Sequence, residues 1–72
     1  MTIGERIKKY RKEKGWKQSQ LAEEADLCTV YISRYETGRW LPSLISIIAI
    51  ADALGVTLDE LVGRKVKNEE TV

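Results

Sequence analysis

The sequence predicts an all-α domain of five short helices, and three observations carry that expectation. Gly15, Gly38, Gly55 and Gly63 each follow a stretch of helically spaced apolar residues, where a helix-ending left-handed residue belongs. Apolar residues recur every three or four positions instead of alternating, which is the period of a helix face and not of a half-buried strand. The first and last segments open with a threonine followed three positions later by a glutamate, a pairing that satisfies the free N–H groups of a helix start.

Taken in order, the first helix is expected from Ile3 to Lys14, capped by Thr2 and Glu5, with Ile3, Ile7 and Tyr10 on one face. A second, Gln18 to Ala25, turns Leu21, Ala22 and Ala25 inward. A third, Thr29 to Thr37, buries Ile32 and Tyr35, and only Asp26, Leu27 and Cys28 separate it from the second, so the chain must turn sharply there. Pro42 and Ser43 start a fourth, Leu44 to Leu54, whose Leu44, Ile47, Ile48, Ala51 and Leu54 form a wide apolar stripe. Thr57 and Glu60 cap a short fifth helix carrying Leu58, Leu61 and Val62. This places one domain over residues 1–63 and a short polar tail over residues 64–72.

Composition excludes several classes of function. Nothing approaches the roughly 18 uninterrupted apolar residues of a membrane span, and the charged start at Glu5, Arg6, Lys8 and Lys9 is not that of a secretory signal, so the sequence reads as cytoplasmic with no membrane partner. With one cysteine, Cys28, and no histidine, the usual metal-ligand sets are absent and no metal or cofactor is implied. The lack of histidine also removes the commonest general base, and there is no glycine-rich phosphate loop or serine nucleophile motif, so the chain does not read as an enzyme.

The net charge of +1 hides an uneven distribution. Residues 1–40 hold nine Lys/Arg against six Asp/Glu, whereas residues 41–72 hold three against five. The basic excess falls in the half of the chain that contains the second and third helices, which suits attraction of phosphate to one face.

Two short helices joined by a tight turn describe a helix-turn-helix. Around that motif the chain resembles the helix-turn-helix repressors of the phage Cro and cI type, the XRE family. The resemblance runs without a gap from Ile3 to Val62 through Arg11, Gly15, Gln18, Leu21-Ala22, Tyr31-Ile32-Ser33-Arg34, Glu36, Gly38, Pro42-Ser43-Leu44, Ile50-Ala51 and Ala53-Leu54-Gly55-Val56. It implies a five-helix λ-repressor-like DNA-binding domain whose third helix enters the major groove of double-stranded DNA. Position by position, it implies base reading by Thr29, Val30, Ser33 and Arg34, and phosphate contact by Gln18, which also supports the third helix. Lys17, Thr37 and Arg39 take the phosphate-contacting flanks. It also implies a structural ion pair between Arg11 and Glu36.

The chemistry of these side chains agrees. Arg34 can offer two parallel donors to guanine O6 and N7, Thr29 and Val30 carry methyl groups suited to the thymine methyl, and Ser33 can donate or accept. Lys17 and Arg39 need supply only charge, which positions a protein without specifying sequence. Lys8, Lys9, Lys12 and Lys14 are most simply a solubilising face.

Three positions depart from the family pattern: Lys17 replaces a usual cap, Asp26 a usual glycine, and Cys28 the Ser or Thr that caps the third helix. Capping could shift to Thr29, and a thiol at a helix N-terminus could act as a redox switch, though no second cysteine is present to resolve it. Trp40, Leu41, Ile45 and Ala49 widen the apolar face of the fourth helix beyond the pattern, the alternative being that Trp40 folds back onto the domain. They and the fifth helix are expected to form a homodimer interface, with Ile45, Leu58, Leu61 and Val62 as its residues, so that the chain represses transcription as a dimer on a palindromic operator. A protein-interaction module such as an antitoxin is the alternative, for which the nine residues after Gly63 are short.

Overall fold

In the computed structural model, which describes residues 1–63, the chain forms five α-helices. They are α1 (Ile3–Glu13), α2 (Gln18–Ala25), α3 (Thr29–Glu36), α4 (Leu44–Leu54) and α5 (Leu58–Val62). The tail expected over residues 64–72 lies outside the described residues.

Local chemistry sets most of the boundaries. At the start of α1 the Glu5 N–H donates to Thr2 Oγ1 at 3.1 Å while the Thr2 N–H donates to Glu5 Oε1 at 2.8 Å. The same reciprocal pair opens α5 between Thr57 and Glu60. Ser43 caps α4 by accepting the Ser46 N–H at 3.1 Å. The two helices of the central motif begin less completely. Lys17 has no acceptor to offer, so α2 keeps only the half in which its N–H donates to Gln20 Oε1 at 2.7 Å. Cys28 precedes α3 with no side-chain hydrogen bond, and Thr29 does not take over the cap. Between them Asp26 ends α2 in the left-handed conformation at φ 58°, where a glycine would be unstrained.

Each helix contributes one large, fully buried side chain to the centre: Ile7, Leu21, Ile32, Ile50 and Leu61. Tyr35, Ile47 and Leu54 surround them, and Ala22, Ala25 and Ala51 keep the helix axes close. α2 packs on α3 and α4, and α1 lies across α3 and α5. Gly4 makes the α1–α3 crossing possible, because a Cβ there would overlap the Tyr35 carbonyl oxygen and stand 2.9 Å from that of Glu36.

Two expectations about the apolar faces are corrected. The buried stripe of α4 is Ile47, Ile50, Ala51 and Leu54, while Leu44 and Ile48 are exposed. Nine of the eleven α4 residues in LISIIAIADAL are apolar, so periodicity allows two stripes, and packing against α2 selects the one that includes Ile50. Leu61, expected at a dimer interface, is 0% exposed. It fills the centre of the core between α1 and α4, and of the apolar residues of that helix only Leu58 and Val62 reach the surface.

Candidate nucleic-acid interface

α3 presents two chemically different sides. Ile32, Tyr35 and Glu36 face inward, and the opposite side carries Thr29, Val30, Ser33, Arg34 and, just past the helix end, Thr37. Residues three and four apart on a helix are neighbours, so these five form one strip. Val30 is 55% exposed, an apolar side chain held in water at the outer start of the helix. The only acid of α3, Glu36, is buried, so none of its own carboxylates stands on the exposed strip.

Glu36 anchors the helix from behind. Arg11 Nε and Nη2 donate to its two carboxylate oxygens at 2.7 and 3.0 Å, and Arg11 Nη1 donates to the Trp16 carbonyl oxygen at 2.6 Å. Gln18 Nε2 adds a bond to Glu36 Oε1 at 3.1 Å. A buried two-pronged ion pair therefore ties α1, the start of α2 and the end of α3 into one unit. Gln18 commits one of its two amide hydrogens to this unit and retains the other.

The flanking positions differ in what they have free. Lys17, at the start of α2, and Arg39, in the turn after α3, are exposed cations. Thr37 is exposed, but its hydroxyl donates to the Ser33 and Arg34 carbonyl oxygens at 3.0 and 3.2 Å and so finishes the helix. Its oxygen can still accept, but its proton is already used.

Trp40 is where the structure departs most from the sequence expectation. Instead of extending the apolar face of α4, it folds back on α3: the Arg34 guanidinium lies 4.8 Å above its ring, and its edge meets Tyr31 at 5.5 Å. Tyr31 was not among the expected site residues. The sequence signal for both was Gly38, whose φ of 80° reverses the chain so that the next residues run beside the last turn of α3. Of the remaining positions, Ile45 is 81% exposed and Leu41 84%, next to the exposed Leu44 and Ile48. Among the described residues no group of three potential ligands could hold a metal ion, and no helix is long and apolar enough to cross a membrane.

A sequence profile described as helix-turn-helix matches residues 7–61, most of the chain. The chain belongs to the helix-turn-helix family. Within it, the similarities are to repressors of the Cro/cI (XRE) kind. The helix-turn-helix chain is 43% identical over 72 residues to the immunity repressor protein of Bacillus phage phi105, covering 97% of this chain and 50% of that one. It is 38% identical over 69 residues to the transcriptional repressor RstR of the cryptic phage CTXphi in Vibrio cholerae, covering 96% and 62%. The chain thus spans between half and two thirds of the length of these relatives. Its fold superposes on the P22 c2 repressor, solved in complex with a synthetic operator, with a TM-score of 0.84, 28% identity, and coverage of 90% of this chain and 98% of that one.

Proposed function

We propose that this helix-turn-helix chain binds duplex DNA in a sequence-specific manner and regulates transcription, as a repressor, by occupying an operator in the cytoplasm. The observation that carries the reading is the outward strip on α3, which has no acid of its own and is fixed from behind by the buried Arg11–Glu36 pair and the half-buried Gln18. An α-helix fits the major groove, and a helix that cannot rotate on its scaffold presents its side chains to base edges in one register.

In this reading Arg34 donates to a guanine, Val30 and Thr29 meet thymine methyl groups, and Ser33 makes an adaptable polar contact. Lys17 and Arg39 neutralise phosphates on either side, the free amide hydrogen of Gln18 donates to a phosphate oxygen, and Thr37 donates to another by turning its hydroxyl proton away from the Ser33 and Arg34 carbonyls. The relatives are themselves named as repressors, which supports the same assignment.

A homodimer on a palindromic site completes the reading. The apolar side chains left in water on α4 and α5, Ile45, Leu58 and Val62, together with Leu41 and Leu44, are more than a domain of this size exposes without use. Half-sites would lie about 34 Å apart, one turn of DNA. Selection of bound sequences from a random duplex pool tests this directly. A palindromic motif whose binding weakens with salt is expected, and recovery of no motif would overturn sequence-specific binding.

A further inference from the structure

We propose that Trp40 is a specificity-determining residue that acts through Arg34, clamping its guanidinium so that the two terminal nitrogens are left to face a base. The inference rests on the reading of Arg34 as a base contact and adds what sets its geometry.

Three observations converge on this pair. The Arg34 guanidinium carbon stands 4.8 Å from the centroid of the Trp40 ring, within the range where a cation is held by an aromatic face. The Trp40 ring is itself held, edge-on to Tyr31 at 5.5 Å and 62°, and Tyr31 in turn leans on buried Tyr35 at 6.4 Å. Tyr35 hydroxyl donates to Ser46 Oγ on α4 at 3.4 Å, so a row of aromatic rings leads from the core to the arginine. The backbone joins the same two residues: the N–H groups of Arg39 and Trp40 both donate to the Arg34 carbonyl oxygen, at 2.9 and 3.3 Å. The turn that carries the ring is thus bonded to the residue whose side chain the ring covers.

A fourth observation concerns the guanidinium itself. Its Nε is buried and has no hydrogen-bond partner. A base cannot reach that nitrogen, so the side-on grip through Nε and one terminal nitrogen is closed, and the end-on grip through Nη1 and Nη2 is the one left. Those two donors are parallel and coplanar, the arrangement that guanine O6 and N7 accept. An unstacked arginine would sample many rotamers and lose them on binding; one already stacked loses fewer, and it does so in a single direction. Trp40 need not touch DNA to act in this way.

The test is operator discrimination by full-length variants. Trp40→Leu keeps an apolar side chain and removes the ring; it should lower the preference for the base pair read by Arg34 by about tenfold while leaving nonspecific affinity and salt dependence unchanged, because no phosphate contact is lost. Trp40→Phe keeps a face and should retain most of the preference. In an Arg34→Ala background, Trp40→Leu should change nothing further, since the two residues act as one unit. A Trp40→Leu protein that discriminates like the parent, while Arg34→Ala does not, overturns the clamp and leaves Arg34 as a base reader. Parental discrimination by Arg34→Ala removes both. The unmutated protein supplies a readout independent of whether any variant folds: the Arg34 side-chain protons should show upfield ring-current shifts in NMR spectra, free and on operator DNA. Unshifted protons in either state would also overturn the clamp.

Discussion

Arg11 Nε and Glu36 Oε2 approach to 2.7 Å across 25 residues of sequence, and both side chains are almost entirely withdrawn from water. Each buried charge is compensated by the other, and Trp16 and Gln18 occupy further hydrogen-bonding sites. Removing one partner leaves the other charge buried and unpaired. Arg11→Met or Glu36→Leu should therefore cost about 3–5 kcal/mol in urea unfolding. The double replacement should cost much less than the sum, because it leaves no orphan charge. A strictly additive double variant would show that the pair does not act as a unit.

Gly4 offers a sharper test of how α3 is seated. Alanine is the better helix former by about 1 kcal/mol, so on local grounds Gly4→Ala should stabilise α1. The added methyl would instead strike the Tyr35 and Glu36 carbonyls and push α1 off the end of α3. A net loss of about 1–3 kcal/mol is expected, with DNA affinity falling as well. A variant as stable as the parent would mean that α1 can slide without disturbing α3.

The Arg11–Glu36 pair is legible through the resemblance to known repressors, whereas the close approach at Gly4 is not. Helix starts are written locally, in Thr2 with Glu5, Ser43, and Thr57 with Glu60, and so are their ends at left-handed glycines. The faces of α4 and α5 are not. α4 is apolar almost all round, and five residues are too few to define a stripe on α5, so only docking distinguishes buried Leu61 from exposed Leu58 and Val62. The exposed strip of α3 is legible through the resemblance to known repressors, but the Arg34–Trp40 stack crosses a turn and obeys no helical period.

Two of the four positions expected at a dimer interface, Ile45 and Leu61, should now behave in opposite ways. Ile45→Glu puts a charge on a side chain that already faces water, and should dissociate a dimer in sedimentation while leaving the thermal transition nearly unchanged. Leu61→Glu places an unpaired carboxylate at the centre of the core and should abolish folding, as seen by loss of helical circular dichroism. Sedimentation as a monomer by the parent protein, both free and on operator DNA, would refute the dimer.

Lys17 and Arg39 should contribute affinity without sequence preference. Each phosphate contact releases condensed counterions, so Lys17→Ala and Arg39→Ala should each flatten the slope of log affinity against log salt by about one unit. Binding should weaken equally on specific and random duplexes. If either variant keeps the parental slope, that residue does not touch the backbone.

Cys28 stands at the N-cap of α3 with φ −77° and ψ 143°, the extended geometry of a capping residue, yet its side chain makes no capping hydrogen bond. The Tyr31 N–H turns instead to the Cys28 carbonyl oxygen at 3.0 Å. Serine has nearly the same size and a much better acceptor, so Cys28→Ser should gain about 0.5–2 kcal/mol by capping the N–H of Tyr31 or its neighbour without moving the backbone. For a domain this small, a gain of about 1 kcal/mol raises the melting temperature by roughly 4–8 °C. The exposed thiol is also removed, so stability should become insensitive to oxidant. Cys28→Ala separates the two effects: it removes the thiol but adds no acceptor, and should gain nothing in reducing buffer. Equal stabilisation by alanine and serine would show that the missing cap costs this helix nothing.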